Sequence, residues 1–82
     1  MLFIDHASGY DMTVNIDCVG NDLSRHDVTS AQECASICDQ IPGCIAFVMD
    51  RRNIQLNKCY PKHTCAQTKY LQGVFLYKKG RK

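Results

Sequence analysis

Eighty-two residues, six of them cysteine, with 45% apolar residues and a formal net charge of +2, leave room for one small domain and exclude a large hydrophobic core. No apolar stretch approaches the length of a membrane-spanning helix, which excludes membrane insertion. A balance this close to neutral carries no expectation of a nucleic-acid partner.

Ordering so short a chain roughly cancels what a core of its size returns, so covalent staples are expected. Cys18, Cys34, Cys38, Cys44, Cys59 and Cys65 supply an even, dense set that reads as a disulfide framework. The spacings C-x3-C-x5-C and C-x5-C do not match the paired knuckles of a zinc site, so no metal or other cofactor is expected. Disulfides persist outside the cytosol, which makes the chain secreted or extracellular. The apolar start Met1–Ile4 is cut short by Asp5 and is too brief for a secretion signal. The reading is therefore a mature or excised domain whose signal has been removed.

In chain order, Met12, Val14, Ile16 and Cys18 alternate with Thr13, Asn15 and Asp17, the pattern of a half-buried strand. Gly20-Asn21-Asp22 follows as a turn; together with Asp17 it offers too few ligands for a calcium loop. Leu23 to Val28 is a second, weaker strand. Ser30 and Glu33 form a capping-box pattern, with Thr29 and Gln32 as the alternative shifted by one residue. Apolar residues then recur at Cys34, Ile37, Cys38 and Ile41 until Pro42-Gly43 stops the helix. This predicts a helix from about Ser30 to Gln40 with both its sulfurs on the buried face. Cys44–Met49 is a continuous apolar run that suits a central strand. Arg51–Gln55 reads as a loop, Lys58–Lys62 as a strand, and Val74–Tyr77 as the last strand. Lys78-Lys79-Gly80-Arg81-Lys82 reads as a solvated basic tail. The expected fold class is α+β: a small disulfide-rich domain spanning 1–82, one helix packed on an antiparallel β-sheet.

The segment Ser30 to Lys62 resembles the core of the PAN/apple domain family. The matching features are the capped helix with Cys34-x3-Cys38, then Pro42-Gly43-Cys44-Ile45-Ala46-Phe47, then Cys59-Tyr60-Pro61-Lys62. Cys18-Val19-Gly20-Asn21-Asp22-Leu23 is similar to the family's first strand and turn, and Gly73–Tyr77 would be its closing strand, so the likeness covers about residues 10 to 79. Pro61 departs from the family's usual Cys-aromatic-Leu-Lys. The resemblance implies the pairs Cys34–Cys59 and Cys38–Cys44, which leaves Cys18 to pair with Cys65. In six-cysteine apple domains the last cysteine usually lies in the closing strand, whereas Cys65 precedes it here.

Catalysis is not expected. His6, His26 and His63 are scattered, and no nucleophile-elbow, zinc-protease or P-loop pattern is present. With all six cysteines paired no thiol is left as a nucleophile. The resemblance instead implies a recognition or adhesion module for a protein or carbohydrate partner, a protein being the first expectation. All eight acidic residues lie at or before Asp50, and nine of the ten basic ones follow it. That asymmetry could build a basic face, or cancel if the two halves interleave in one sheet. A sulfated glycan such as heparin would use Arg51, Arg52, Lys58, Lys62, Lys69, Lys78 and Lys79. A neutral sugar would use Tyr60, His63, Tyr70 and Tyr77 with Lys62. A secreted protease or platelet inhibitor is the remaining alternative.

Overall fold

The helix α1 (Ala31–Gln40) begins where its cap is strongest in the computed structural model, which describes residues 6–52 and 57–80. The Ser30 hydroxyl accepts the Glu33 amide at 3.2 Å, and the Glu33 carboxylate reaches back to the amide and hydroxyl of Thr29 at 2.8 and 3.0 Å. These bonds satisfy donors that the first turn leaves without intrahelical partners, and they hold the Glu33 carboxyl below its ordinary pKa. At the other end the Ile41 amide bonds the Cys38 carbonyl, and Gly43 turns the chain at φ +84°.

Five strands, β1 (Tyr10–Cys18), β2 (His26–Val28), β3 (Ala46–Asp50), β4 (Asn57–Lys62) and β5 (Thr68–Lys79), form one antiparallel sheet in the order β1-β5-β3-β4-β2. The apolar run thus becomes the central strand β3. One helix on an antiparallel sheet, stapled by three disulfides, is the α+β fold expected from the sequence. The bridges join Cys18 to Cys65, Cys34 to Cys59 and Cys38 to Cys44.

Alternation along β3 and β5 divides the core into two layers. Phe47, Met49, Phe75 and Tyr77 pack with α1 and with Cys34, Cys38, Cys44 and Cys59. Ala46, Val48, Val74 and Leu76 face the other way, with Cys18, Ile16, Tyr60, Cys65 and Leu71. Among the described residues no helix covers this second layer.

Several expected boundaries move. The closing strand starts at Thr68 and not at Val74. The sequence hides this because the strand is interrupted: Gly73 has φ +88°, and opposite it Asn15 has φ +63°. The β1–β5 register slips between Val14 and Ile16, and the Asn15 side-chain oxygen accepts the Gly73 amide at 3.0 Å. This bulge turns both strands over. Tyr10 and Met12 pack on the helix side while Ile16 and Cys18 pack on the other, and Phe75 and Leu71 divide likewise. Unbroken alternation would leave each pair on one face.

The Leu23–Val28 strand shrinks to His26–Val28, because the Leu23 amide bonds the Pro61 carbonyl at 2.8 Å outside the regular ladder. That break in the ladder lies beside Pro61, which has no amide to contribute, so the proline is tolerated inside a sheet. Lys78 and Lys79 do not form a tail: they close β5, opposite Asp11 and Tyr10. Arg81 and Lys82, Met1–Ile4 and the later part of the Arg51–Gln55 loop lie outside the described residues.

Candidate functional site

The uncovered face of the sheet carries a cleft of about 220 Å³. Its apolar floor is Val48 and Val74, with Leu71 and Cys18 beside them; its polar wall is Asp17, Asp22, Asp50, Arg52, Tyr60 and Lys62. Four strands and the turn after β1 contribute, which is why the site follows from the sheet order and not from any local motif.

Both cations of the wall are held. Arg52 grips Asp50 through Nε to Oδ1 at 2.9 Å and Nη2 to Oδ2 at 2.7 Å, and its amide also bonds Oδ1 at 3.1 Å. Two parallel charge-assisted bonds fix a guanidinium plane in a way one bond cannot. They hold the Asp50 carboxyl below the ordinary carboxylate range, against the opposing effect of burial. They also raise Arg52 above its usual value, with Asp17 and Tyr60 adding smaller contributions.

Lys62 is buried, its side chain 4% exposed. Its ammonium donates to the Gly20 carbonyl at 2.7 Å and to the Asp22 carboxylate. The carbonyl is presented by a turn in which Gly20 and Asn21 both have positive φ, at +71° and +64°, a geometry that glycine and asparagine adopt most readily. An ammonium has three donors, so two serve the protein and one is left over. Three carboxylates against two cations leave the cleft with one net negative charge.

Of the residues singled out from the sequence, Arg52, Tyr60 and Lys62 meet in this cleft. Tyr77 does not reach a surface: it is fully buried and stacks on Phe47 at 4.6 Å between ring centroids, since its position in β5 points it at the helix. It is corrected from a sugar-binding candidate to a core residue. Lys58 leaves the cleft to pair with Asp27 at 2.7 Å across β2 and β4, a bond that keeps the Asp27 carboxyl below its ordinary pKa. Arg51 places its guanidinium 5.7 Å over the Phe75 ring, on the helix side. His63, Lys69 and Tyr70 are exposed and do not line the cleft. Lys78 and Lys79 line a different one, at the end of the sheet, with Ile45, Thr64, Cys65 and Ala66.

The basic half of the chain is accordingly dispersed. Asp22–Lys62, Asp27–Lys58 and Asp39–Lys79 each join an acid from the first half to a lysine from the second, so the two halves interleave. The carboxylates Asp17 and Asp50 carry no sequence signal of a site: one is an ordinary polar position of an alternating strand, the other the polar end of an apolar one.

A family model described as PAN domain matches residues 9–81. No curated protein and no solved structure matches the chain.

Proposed function

We propose that this chain, which belongs to the PAN domain family, is an extracellular, non-enzymatic recognition module whose cleft binds a neutral sugar. PAN domains are protein- and carbohydrate-binding modules of extracellular proteins and are not typically catalytic. Two features here favour a carbohydrate over the protein partner that the sequence first suggests. Of the tyrosines that could anchor a protein interface, Tyr77 is buried and Tyr60 sits inside the cleft, which leaves Tyr70 alone exposed away from it. The cleft also alternates fixed acceptors with fixed donors above an apolar floor.

That alternation is the observation that carries the reading. A sugar hydroxyl both donates and accepts, so a ring is recognised by carboxylates and cations set side by side. Asp17 and Asp50 would accept, and Arg52 and Lys62 would donate. The apolar floor would take the ring's C–H face, and the cleft is smaller than those that hold drug-sized ligands. A net negative site does not suit a sulfated chain.

A glycan array probed at low and high salt tests this. Binding to neutral glycans should persist at high salt, because it does not depend on screened long-range attraction. The variant Asp17→Ala should weaken it by about tenfold, the equivalent of one charge-assisted hydrogen bond, and Tyr60→Ala by about fivefold, the equivalent of one neutral one. A blank array, or binding only to sulfated glycans that vanishes with salt, would overturn the reading.

A further inference from the structure

We infer that Cys65 is a thiol-exchange site, at which a small monothiol such as glutathione opens the Cys18–Cys65 bridge and becomes covalently attached. The other two bridges stay closed. The inference goes beyond the sugar reading and does not rest on it.

The bridge presents two unlike sulfurs. Cys18 is fully buried and lines the first cleft. Cys65 is half-buried and lines the separate cleft of about 420 Å³ at the end of the sheet. It also lies in the connection between β4 and β5, outside both strands. The course of thiol–disulfide exchange depends on which sulfur the attacking thiolate can reach, and access favours Cys65. Charge favours it too, because a thiolate is an anion. No carboxylate lines the cleft at Cys65, whereas Asp17, Asp22 and Asp50 leave the cleft at Cys18 net negative, which repels an anion. The four cysteines of the Cys34–Cys59 and Cys38–Cys44 bridges are packed with the helix and at most 2% exposed. Exchange there requires the domain to open.

The step balances. The incoming thiol gives up its proton and its sulfur attacks Cys65 Sγ. A new S–S bond forms there as the Cys18–Cys65 bond breaks. The incoming sulfur is oxidised to the disulfide level and the Cys18 sulfur is reduced. Cys18 leaves as a thiolate and takes a proton from water. The resulting thiol has an acceptor in place, the Thr64 carbonyl, 3.5 Å from Cys18 Sγ. The Val19 amide bonds the Gln67 carbonyl at 2.9 Å, which keeps this connection on the end of β1 after the bridge opens. Because Cys18 lines the first cleft, exchange at one cleft is felt at the other.

The test is a short pulse of reduced glutathione on the native protein at neutral pH. It is stopped with N-ethylmaleimide and mapped by mass spectrometry without reduction. Glutathione should be found on Cys65 and the maleimide on Cys18. The other two bridges should exchange at least about a hundredfold more slowly, in step with opening of the whole domain. In the 15N-labelled adduct the amides of Cys18, Val19 and Thr64 to Gln67 should shift, and those of the Ala31–Gln40 helix should not. Glutathione on Cys18 instead, opening of all three bridges at one rate, no adduct at any cysteine, or an adduct whose helix amides collapse would overturn the assignment. None of these results bears on the neutral-sugar reading of the first cleft.

Discussion

On one side of the sheet lies a helix, held down by two disulfides whose four cysteines are at most 2% exposed. On the other, among the described residues, lie a turn, a loop and one bridge, Cys18–Cys65, with Cys65 half-buried. The first side is packed from apolar residues and aromatic rings. The second sets Asp, Arg and Lys around an apolar floor and binds them to one another. Where a layer of secondary structure covers the sheet, side chains are used up in packing; where none does, the same alternation presents them to solvent. The fold therefore assigns stability to one face and leaves the polar groups of the other open to solvent.

That contrast can be broken at several points. The largest effect should come from Cys34→Ala/Cys59→Ala. The bridge closes a 25-residue separation, which chain entropy values at about 3.5 kcal/mol, and its loss leaves cavities under the helix. A loss of about 5 kcal/mol in urea denaturation is expected, enough to unfold a marginal domain. Cys18→Ala/Cys65→Ala opens a longer separation of 47 residues, worth about 4 kcal/mol of chain entropy, but leaves no cavity under the helix. It should therefore cost less in total, about 4 kcal/mol, and should leave near-ultraviolet signals from Phe47 and Tyr77 native while the cleft resonances broaden. Graded reduction should open Cys18–Cys65 first, because a reductant can reach the half-buried Cys65.

Gly73→Ala should cost about 2 kcal/mol. Its backbone is at φ +88° and an added Cβ would lie 2.8 Å from Arg52 Cγ. Because the clash is with Arg52, the loss should be accompanied by weaker binding in the first cleft.

Tyr10 probes the covered face through pH. Burial and the bond to Asp39 push its hydroxyl above the ordinary tyrosine value. A raised folded pKa contributes stability that is complete below the unfolded value, about 10, and is lost as pH rises beyond it. Tyr10→Phe should cost about 1 kcal/mol at neutral pH and flatten the alkaline limb in thermal melts. Asp50 gives the opposite sign on the open face. Its lowered pKa supports the Arg52 clamp above the ordinary carboxylate range and releases it as pH falls below. The Arg52 Nε resonance should therefore stay unchanged down to that range and move only under stronger acid, with little effect on the melting temperature.

The covered face was readable in the sequence because its signals are local. Ser30 and Glu33 mark the cap, Pro42-Gly43 the stop, and the Cys44–Met49 run the central strand. The open face was not, because it is assembled from residues far apart in the chain: Asp17 and Arg52 meet only through the sheet order. The bulge at Asn15 and Gly73 also defeats period-two reading, so β5 looked a third of its length. Tyr77 and Lys62 show the same limit from the other direction. An alternating strand says that a residue faces one side, and only the placement of the helix says which side is buried.

The most direct test is a chemical-shift map of the 15N-labelled protein with the strongest neutral glycan found on the array. Shifts confined to Asp17, Asp50, Arg52, Tyr60 and Leu71, with the Ala31–Gln40 helix unmoved, are the predicted result. Shifts centred on the helix, or on Lys58 and Lys69 instead of the cleft, would contradict the account.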